Sequence, residues 1–167
     1  VVNARPGHVV DHFSAAGAKA TIDFWRNDVL TAPMLQALRS AGGDLFEDSL
    51  ELNANAHWTT GFLQQFQKRR GYDLRPYLPV LFIDGLHRQY SSVSINDQPR
   101  YAFDAATDQR VRNDYYQTLT DLYRDFHIEP LKAFAHSLGL QYRAQTYGDT
   151  LDFAQLSTSV DVPETEG

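Results

Sequence analysis

The sequence has 167 residues and 43% of them are hydrophobic, so the chain has enough apolar material for the core of one domain. Lys and Arg number 15 against 21 Asp and Glu, a formal net charge of −6, and an acidic surface is unsuited to the phosphate backbone of nucleic acids. No apolar run approaches the roughly 20 residues of a membrane-spanning helix, and a chain without cysteine forms neither disulfides nor thiolate zinc sites. We therefore expect neither nucleic acid nor a membrane among its partners.

The first third of the chain is predicted to contain an extended segment followed by two helices. Residues 1–14 mix β-branched residues with Gly and Pro, which favours a short strand or extended segment that runs into a polar loop. Residues 15–25 are rich in alanine, which favours a helix. A second helix is predicted to begin near Thr31, a suitable N-cap, and to end at the glycine pair Gly42-Gly43.

The middle of the chain is predicted to contain a strand, a helix and a long loop. An apolar pair in residues 44–46, followed by the dense acid of residues 47–51, indicates a buried strand that opens into a loop. Residues 58–70 carry apolar side chains at helical spacing and precede a glycine that can end the helix. The prolines in residues 72–79 predict an extended, irregular segment. Residues 86–108 are polar without a clear period, which predicts a long loop or excursion of the kind that usually serves function.

The last third contains the longest periodic segment, over residues 111–128, where one apolar stripe predicts a helix. Pro130 is predicted to interrupt that helix or to start the next turn, and Gly139 is a suitable stop. Residues 140–148 are then predicted to run from a strand into a loop, and residues 159–163 to form a short strand.

Strands that alternate with helices predict a mixed α/β fold, in which a parallel sheet has helical crossovers. Polar clusters follow three of the strands, as they do on the catalytic face of a (β/α)8 barrel. A complete barrel needs roughly 250 residues, so we expect residues 1–167 to form about half of one, cut at both ends from a larger protein. The three clusters lie at residues 47–51, 145–147 and 164–166.

Two of these clusters carry acids that could cleave a glycosidic bond. That reaction requires two carboxyl groups on opposite sides of the anomeric carbon, one as the acid and one as the base or nucleophile. Asp48 and Glu51 provide one group, and Glu164 and Glu166 provide the other, with one predicted strand between them. The alternative interpretation is that these acids are solvated loop residues or helix N-caps.

A zinc-protease interpretation of the N-terminal segment is set aside. His8 and His12 enclose three residues, as in the inverted zinc-protease motif, with Asp11 in the place of its glutamate. The segment is predicted to be extended, however, and residues four apart in an extended chain lie about 13 Å from each other. That separation is too large for both imidazoles to bind one ion.

The motifs taken together resemble glycoside hydrolase family 106, the α-L-rhamnosidase family. They occur in the same order over nearly the whole chain, and this collinear set is more specific than any single motif. The segments that carry the resemblance are Val10-Asp11-His12-Phe13-Ser14, Phe46-Glu47-Asp48-Ser49-Leu50-Glu51, Trp58-Thr59, Arg69-Arg70-Gly71-Tyr72-Asp73-Leu74, Pro76-Tyr77-Leu78-Pro79, Asp114-Tyr115, Arg143-Ala144-Gln145-Thr146-Tyr147-Gly148 and Asp161-Val162-Pro163-Glu164-Thr165-Glu166.

The resemblance implies a large, multidomain, secreted or periplasmic enzyme with a (β/α) barrel core, which removes terminal α-L-rhamnose from plant polysaccharides or glycosides. It further implies inversion at the anomeric carbon and assistance from calcium. Carried over by position, Glu51 corresponds to the general acid and Glu164 to the base, with Glu166 as the rival for the second role. Strand spacing does not separate the two, because residues two apart in a strand lie on the same face.

Six further residues have candidate roles in sugar binding. Asp48 either lines the subsite or holds calcium, or else caps its own loop. Trp58 either stacks on a sugar face or anchors the packing of a helix. The others lie where strands are predicted to end and could hydrogen-bond sugar hydroxyls. The full set is Asp11, His12, Asp48, Trp58, Gln145 and Tyr147.

Two other functions are compatible with these residues. A catalytically silent relative could bind sugar in the same cleft without turning it over. A glycosidase with a different sugar preference could use the same acids, because pocket-shaping loops are expected largely outside these residues.

Overall fold

The computed structural model describes residues 9–52, 54, 56–82, 100–148 and 151–165. Within these ranges the chain has a mixed α/β fold with a three-stranded parallel sheet in the order β1-β2-β3. The strands are β1 (Asp44–Glu47), β2 (Gln141–Gln145) and β3 (Val162–Glu164). The predicted parallel sheet with helical crossovers is confirmed. The half barrel stays a prediction, because three strands do not establish closure.

Two helices precede the sheet, as predicted. They are α1 (Ala15–Phe24), which continues into a wide π-helical turn (Trp25–Val29), and α2 (Ala32–Ala41). Ser14 caps α1 by accepting a hydrogen bond from the Gly17 amide, and Thr31 caps α2 by accepting one from the Met34 amide. Residues 9–14 form a loop and turn rather than a strand, and residues 1–8, including His8, lie outside the described residues.

The segment between β1 and the long helix differs from the prediction in two places. Helix α3 (Phe62–Arg70) begins four residues later than predicted, because Gly61 has a left-handed backbone with φ 81° that helical residues do not adopt. Residues predicted to be extended form a 3₁₀ helix (Arg75–Leu81) instead. Its first proline lies in the first turn, where backbone amides make no hydrogen bond within the helix, so the missing amide hydrogen costs nothing.

A long helical segment follows and forms the centre of the helical layer. Its parts are α4 (Ala105–Tyr123), a second wide π-helical turn (Arg124–Ile128) and α5 (Glu129–Ser137). Helix α4 begins inside the predicted loop of residues 86–108 because Asp104 caps it, with 2.9 Å from the Thr107 amide to the Asp104 Oδ1. Residues 86–99 lie outside the described residues. Pro130 lies in the first turn of α5, directly after the wide turn.

The core lies between the helical layer and one face of the sheet. The strand register pairs Leu45 with Tyr142 and Glu47 with Ala144, and cross-strand partners point to the same face. That face packs against α4 and α5, and Tyr142 and Ala144 are buried there. The opposite face, which we call the open face, carries Asp44, Phe46, Arg143, Gln145 and Glu164. No helix in the described ranges is long and apolar enough to cross a membrane.

Candidate active site

The candidate site lies at the carboxyl edge of the sheet, where all three parallel strands end. Residues 48–51 follow β1 and form an acidic loop that runs beside the end of β2. The Leu50 amide donates a hydrogen bond to the Tyr147 carbonyl at 3.2 Å. Gly148 permits this close approach: a Cβ atom there would lie 2.7 Å from the Leu50 carbonyl oxygen, and its φ of 114° disfavours other residues.

Glu164 ends β3 on the open face and has close polar partners on β2. The Arg143 guanidinium forms an ion pair with its carboxylate, and the Gln145 side-chain amide donates to Glu164 Oε1 at 3.3 Å. Arg143 also lies 5.3 Å from the Phe46 ring centre and 3.9 Å from the Asp44 carboxylate. The guanidinium thus lies between two carboxylates and an aromatic ring.

Gln145 and Tyr147, both predicted sugar ligands, belong to the same hydrogen-bonded chain. The Tyr147 hydroxyl donates to Gln145 Oε1 at 2.8 Å, and Gln145 in turn donates to Glu164. Gln145 is buried and Tyr147 is partly exposed. The structure therefore brings three of the predicted site residues together at the end of β2 and β3.

The acidic loop is folded on itself and leaves its acids exposed. Asp48 accepts a hydrogen bond from the Ser49 amide at 2.8 Å, so it caps its own loop. Glu51 is exposed, and its carboxylate accepts a hydrogen bond from the Ser49 hydroxyl at 3.0 Å. Glu166, the rival to Glu164, lies outside the described residues.

Asp11 and Trp58 belong to two segments that are held together. Asp11 accepts hydrogen bonds from the Thr59 hydroxyl at 2.6 Å and from the Phe13 amide at 3.0 Å. Trp58 is 51% exposed, and the centre of its ring lies 4.6 Å from the centre of the Phe62 ring. Trp58 therefore both packs against a helix and presents aromatic surface to solvent.

A buried polar cluster behind the sheet was not predicted. We call it the Glu47 cluster, and it consists of Glu47, Tyr123, His127 and Tyr142. The Glu47 carboxylate accepts hydrogen bonds from the Tyr142 hydroxyl, from His127 Nε2 at 2.6 Å and from the Tyr123 hydroxyl at 3.3 Å. The alternation of β1 contained the signal, because Glu47 must share the helix-facing side of Leu45, where a carboxylate requires donors.

The cluster changes the protonation behaviour of its members. Burial would raise the pKa of Glu47, but the hydrogen bonds from His127 and Tyr142 outweigh it, and the pKa is lowered. Burial and the neighbouring Glu47 charge raise the pKa of Tyr123 and of Tyr142. Glu47 is therefore held as the carboxylate and both phenols as donors.

His12 lies against this cluster and lines a cavity of about 310 Å³ between α1, β1 and α5. Its ring centre is 4.8 Å from that of His127. Burial and the neighbouring His127 lower the pKa of His12. Within the described residues, neither His12 Nδ1 nor His127 Nδ1 has a hydrogen-bond partner.

Metal binding is not supported by the part of the chain that the structure describes. Within it, no group of three or more His, Cys, Asp or Glu residues could hold a metal ion. The expectation of calcium stays a prediction.

Comparison with known proteins places the chain in a family. A family model described as alpha-L-rhamnosidase, that of glycoside hydrolase family 106, matches residues 2–166. The chain belongs to glycoside hydrolase family 106. The resemblance noted in the motifs is thereby confirmed.

Two relatives of this family 106 chain are informative. A solved rhamnosidase structure from Novosphingobium sp. PP1Y superimposes with a TM-score of 0.67 at 24% identity, covering 96% of this chain and 14% of that one. This likeness shows a shared fold. A Formosa agariphila protein provisionally named a beta-glucuronidase is 25% identical over 148 residues, which are 86% of this chain and 11% of that protein. The chain thus spans about one eighth of the length of the relatives it matches.

Proposed function

We propose that this chain supplies the acid and the base of an inverting glycoside hydrolase that removes terminal α-L-rhamnose from plant glycans or glycosides. The observation that carries the proposal is the placement of two carboxylates: Glu51 follows β1, Glu164 ends β3, and β2 lies between them at one edge of the sheet. Membership of family 106 supports the choice of sugar.

The spacing of the strands leaves room for a water molecule between the two proposed acids. Neighbouring strands lie about 4.8 Å apart, so β1 and β3 are separated by roughly 10 Å. Inverting enzymes hold their two carboxyl groups roughly 6.5–9.5 Å apart, which leaves room for a water molecule. Loop residues such as Glu51 can reach inward from β1 to shorten the separation.

Glu164 is the proposed base. A general base must be ionised and oriented, and the Arg143 guanidinium and the Gln145 amide hold the Glu164 carboxylate on the open face. In the proposed reaction Glu164 takes a proton from water, and the oxygen of that water attacks the anomeric carbon. Glu166 stays the alternative base.

Glu51 is the proposed acid. It is exposed at the edge of the sheet, on a loop that is fixed against β2 through Leu50. In the proposed reaction it donates its proton to the glycosidic oxygen as the bond to the anomeric carbon breaks. Water attacks from the opposite face, so the configuration inverts.

The remaining predicted residues are proposed to bind the sugar. Gln145 and Tyr147 offer amide and phenol groups beside Glu164, and Trp58 offers exposed aromatic surface. Asp11, His12 and Asp48 are proposed to complete the subsite. We further propose that the full-length protein is secreted or periplasmic, uses calcium, and needs its remaining domains for activity.

The test uses the full-length protein and two rhamnosides that differ in their leaving group. A p-nitrophenyl group leaves without protonation, whereas a methoxy group requires an acid. We expect Glu51→Gln to lower kcat/KM for methyl α-L-rhamnoside by roughly 10²–10⁴-fold and for the p-nitrophenyl substrate by much less. Glu164→Gln should slow both alike, because attack by water is common to them.

A matched control is Glu129→Gln, which removes an exposed acid at the start of α5. This variant should keep wild-type rates. NMR of the released sugar should show inversion. Full turnover by Glu51→Gln on both substrates would show that Glu51 is not the acid, and binding of rhamnose without any wild-type turnover would indicate a silent sugar-binding relative.

A glycosidase with a different sugar preference is the second candidate, and the name of the Formosa relative favours it. A uronic acid substrate would require a positive charge for its carboxylate. Arg143 already faces Glu164 and Asp44, which favours a neutral sugar in this position. Parallel assays on p-nitrophenyl β-D-glucuronide separate the two candidates.

A further inference from the structure

The Glu47 cluster lies directly at the start of the acidic loop. Glu47 is the last residue of β1, and residues 48–51 follow it without a break. Its carboxylate is bound by donors from β2 and from the long helical segment. The point at which the acidic loop leaves the sheet is therefore fixed by side-chain hydrogen bonds as well as by strand pairing.

The loop has a second fixed point only three residues further on. The Leu50 amide is bonded to the Tyr147 carbonyl, and Gly148 packs against the Leu50 backbone. Glu51 comes next in the chain. Only Asp48 and Ser49 separate the two fixed points, so a shift of the chain at Glu47 can pass to Leu50 and from there to Glu51.

The same cluster reaches a second predicted binding segment through His127. The His127 ring lies between Tyr123, which stacks on it at 4.9 Å with an interplanar angle of 14°, and His12 at 4.8 Å. Because the Glu47 carboxylate only accepts hydrogen bonds, the contact places a hydrogen on His127 Nε2 and fixes the plane of its ring. His12 packs on a surface that Glu47 orients.

We propose that Glu47 is a positioning residue, which sets the place of Glu51 through the start of the acidic loop and that of His12 through His127. The proposal rests on the proposed function in taking Glu51 as the general acid. Glu47 itself points to the helical side of the sheet, away from the open face that carries Glu164, so it does not act on the sugar directly.

The first test measures amide hydrogen exchange in the full-length protein and does not depend on activity. In Glu47→Gln, which keeps the shape and removes the charge, we expect residues 48–51 and 9–14 to exchange several-fold faster. Helix α2 should exchange at the wild-type rate. Unchanged exchange in both segments, or an equal rise everywhere, would overturn the proposal.

The second test compares the rates on the two rhamnosides. A smaller folded fraction would lower both rates by the same factor, so only an unequal loss indicates a displaced acid. A displaced acid harms methyl α-L-rhamnoside more than the p-nitrophenyl substrate. We therefore expect Glu47→Gln to lower the kcat/KM for the methyl rhamnoside, divided by that for the p-nitrophenyl rhamnoside, by about 10-fold. A small displacement of a catalytic group is enough to cause such a loss. A wild-type ratio overturns the proposal.

His127→Phe provides an independent variant, since it keeps a ring between Tyr123 and His12 but cannot donate to Glu47. It should show the same local exchange and the same change of ratio, and the double variant should be no worse than either single variant, because the residues act as one unit. Glu129→Gln serves again as the control. If the wild-type protein hydrolyses no rhamnoside, the proposed function fails, while the exchange measurement still decides the role of Glu47.

Discussion

Arg143 connects the proposed base to the neighbouring strand β1. Its guanidinium pairs with Glu164, approaches Asp44 and lies over the Phe46 ring. Two of its N–H groups, on Nε and Nη2, point at the same oxygen, Glu164 Oε2, and a lysine ammonium on its flexible stem does not reproduce this planar arrangement. Arg143 is therefore suited to orienting the proposed base as well as to balancing its charge.

Replacement of Arg143 tests this role. We predict that Arg143→Lys, which keeps the charge and loses the planar pair of donors, lowers kcat by about 10²-fold through misplacement of Glu164. The loss should be equal for the methyl and p-nitrophenyl rhamnosides, because the base and not the acid is disturbed. A larger loss on the methyl substrate would instead connect Arg143 to the acid.

The pH dependence of stability should reflect His12 and Glu47. The pKa of His12 is lowered from its usual 6.5 and that of Glu47 from its usual 4.5. At a pH below the usual pKa of each group, the unfolded chain therefore binds more protons than the folded chain. The free energy of unfolding then decreases as the pH is lowered. We predict a decrease of Tm that begins below about pH 6.5, and a second decrease below about pH 4.5.

His12→Gln should remove the first of these decreases and leave the second. Thermal unfolding followed by tryptophan fluorescence over a pH series measures both. If the variant lost stability between pH 6.5 and 4.5 as the wild-type protein does, His12 would not be the group that titrates there.

Single residues were predictable from sequence where the chemistry is local. Glu164, the last residue of β3, and Glu51, in the loop after β1, can be placed near the sheet edge from sequence because chain position alone puts them there. The Glu47–His127 hydrogen bond joins residues that are 80 positions apart. Such a contact depends on how the helical layer packs, which a single sequence does not reveal.

At the scale of the elements, end signals were the most reliable guides. The cap at Thr31 and the glycines at Gly71 and Gly139 placed three helix ends correctly. The start of α4 is not predicted, because residues 105–110 carry no large apolar side chain and the apolar stripe begins only at Val111. The 3₁₀ helix is not predicted, because prolines favour extended chain, although a first turn tolerates proline.

The junction between the acidic loop and β2 can be tested through its glycine. We predict that Gly148→Ala destabilises the protein by about 1–3 kcal/mol, because the backbone is left-handed and the new Cβ would meet the Leu50 carbonyl. Gly43→Ala, where a Cβ would meet nothing within 4 Å, is the matched control. Chemical unfolding measures both, and equal values would contradict the close approach.

At the scale of the whole molecule, the sequence predicted the family and the α/β class, and the barrel stays a prediction. Closure of a barrel depends on pairing between strands that are distant in sequence. The chain covers 14% of the Novosphingobium structure and 11% of the Formosa protein. The described residues supply β1, β2 and β3 with their helical layer, and leave the open face without a covering layer of their own.

We predict that residues 1–167 expressed alone are inactive and bind a hydrophobic dye. Large apolar side chains are exposed on the described surface, among them Phe46 at 48%, Met34 at 43% and Phe153 at 55%. Contiguous exposed apolar surface marks an interaction site or a tendency to aggregate. The full-length protein should bind much less dye per residue, and equal binding would indicate that these surfaces stay exposed.

The wide turn between α4 and α5 sets the phase of everything after it. A π-helical turn holds one residue more than an α-helical turn, and each helical residue advances the direction of its side chain by about 100°. Deleting one residue between Arg124 and Ile128 would therefore leave an ordinary α-helical turn, and Leu131 and Phe134 would keep their buried positions. The same deletion inside α5, where no turn has an extra residue, would rotate the side chains that follow it by about 100°.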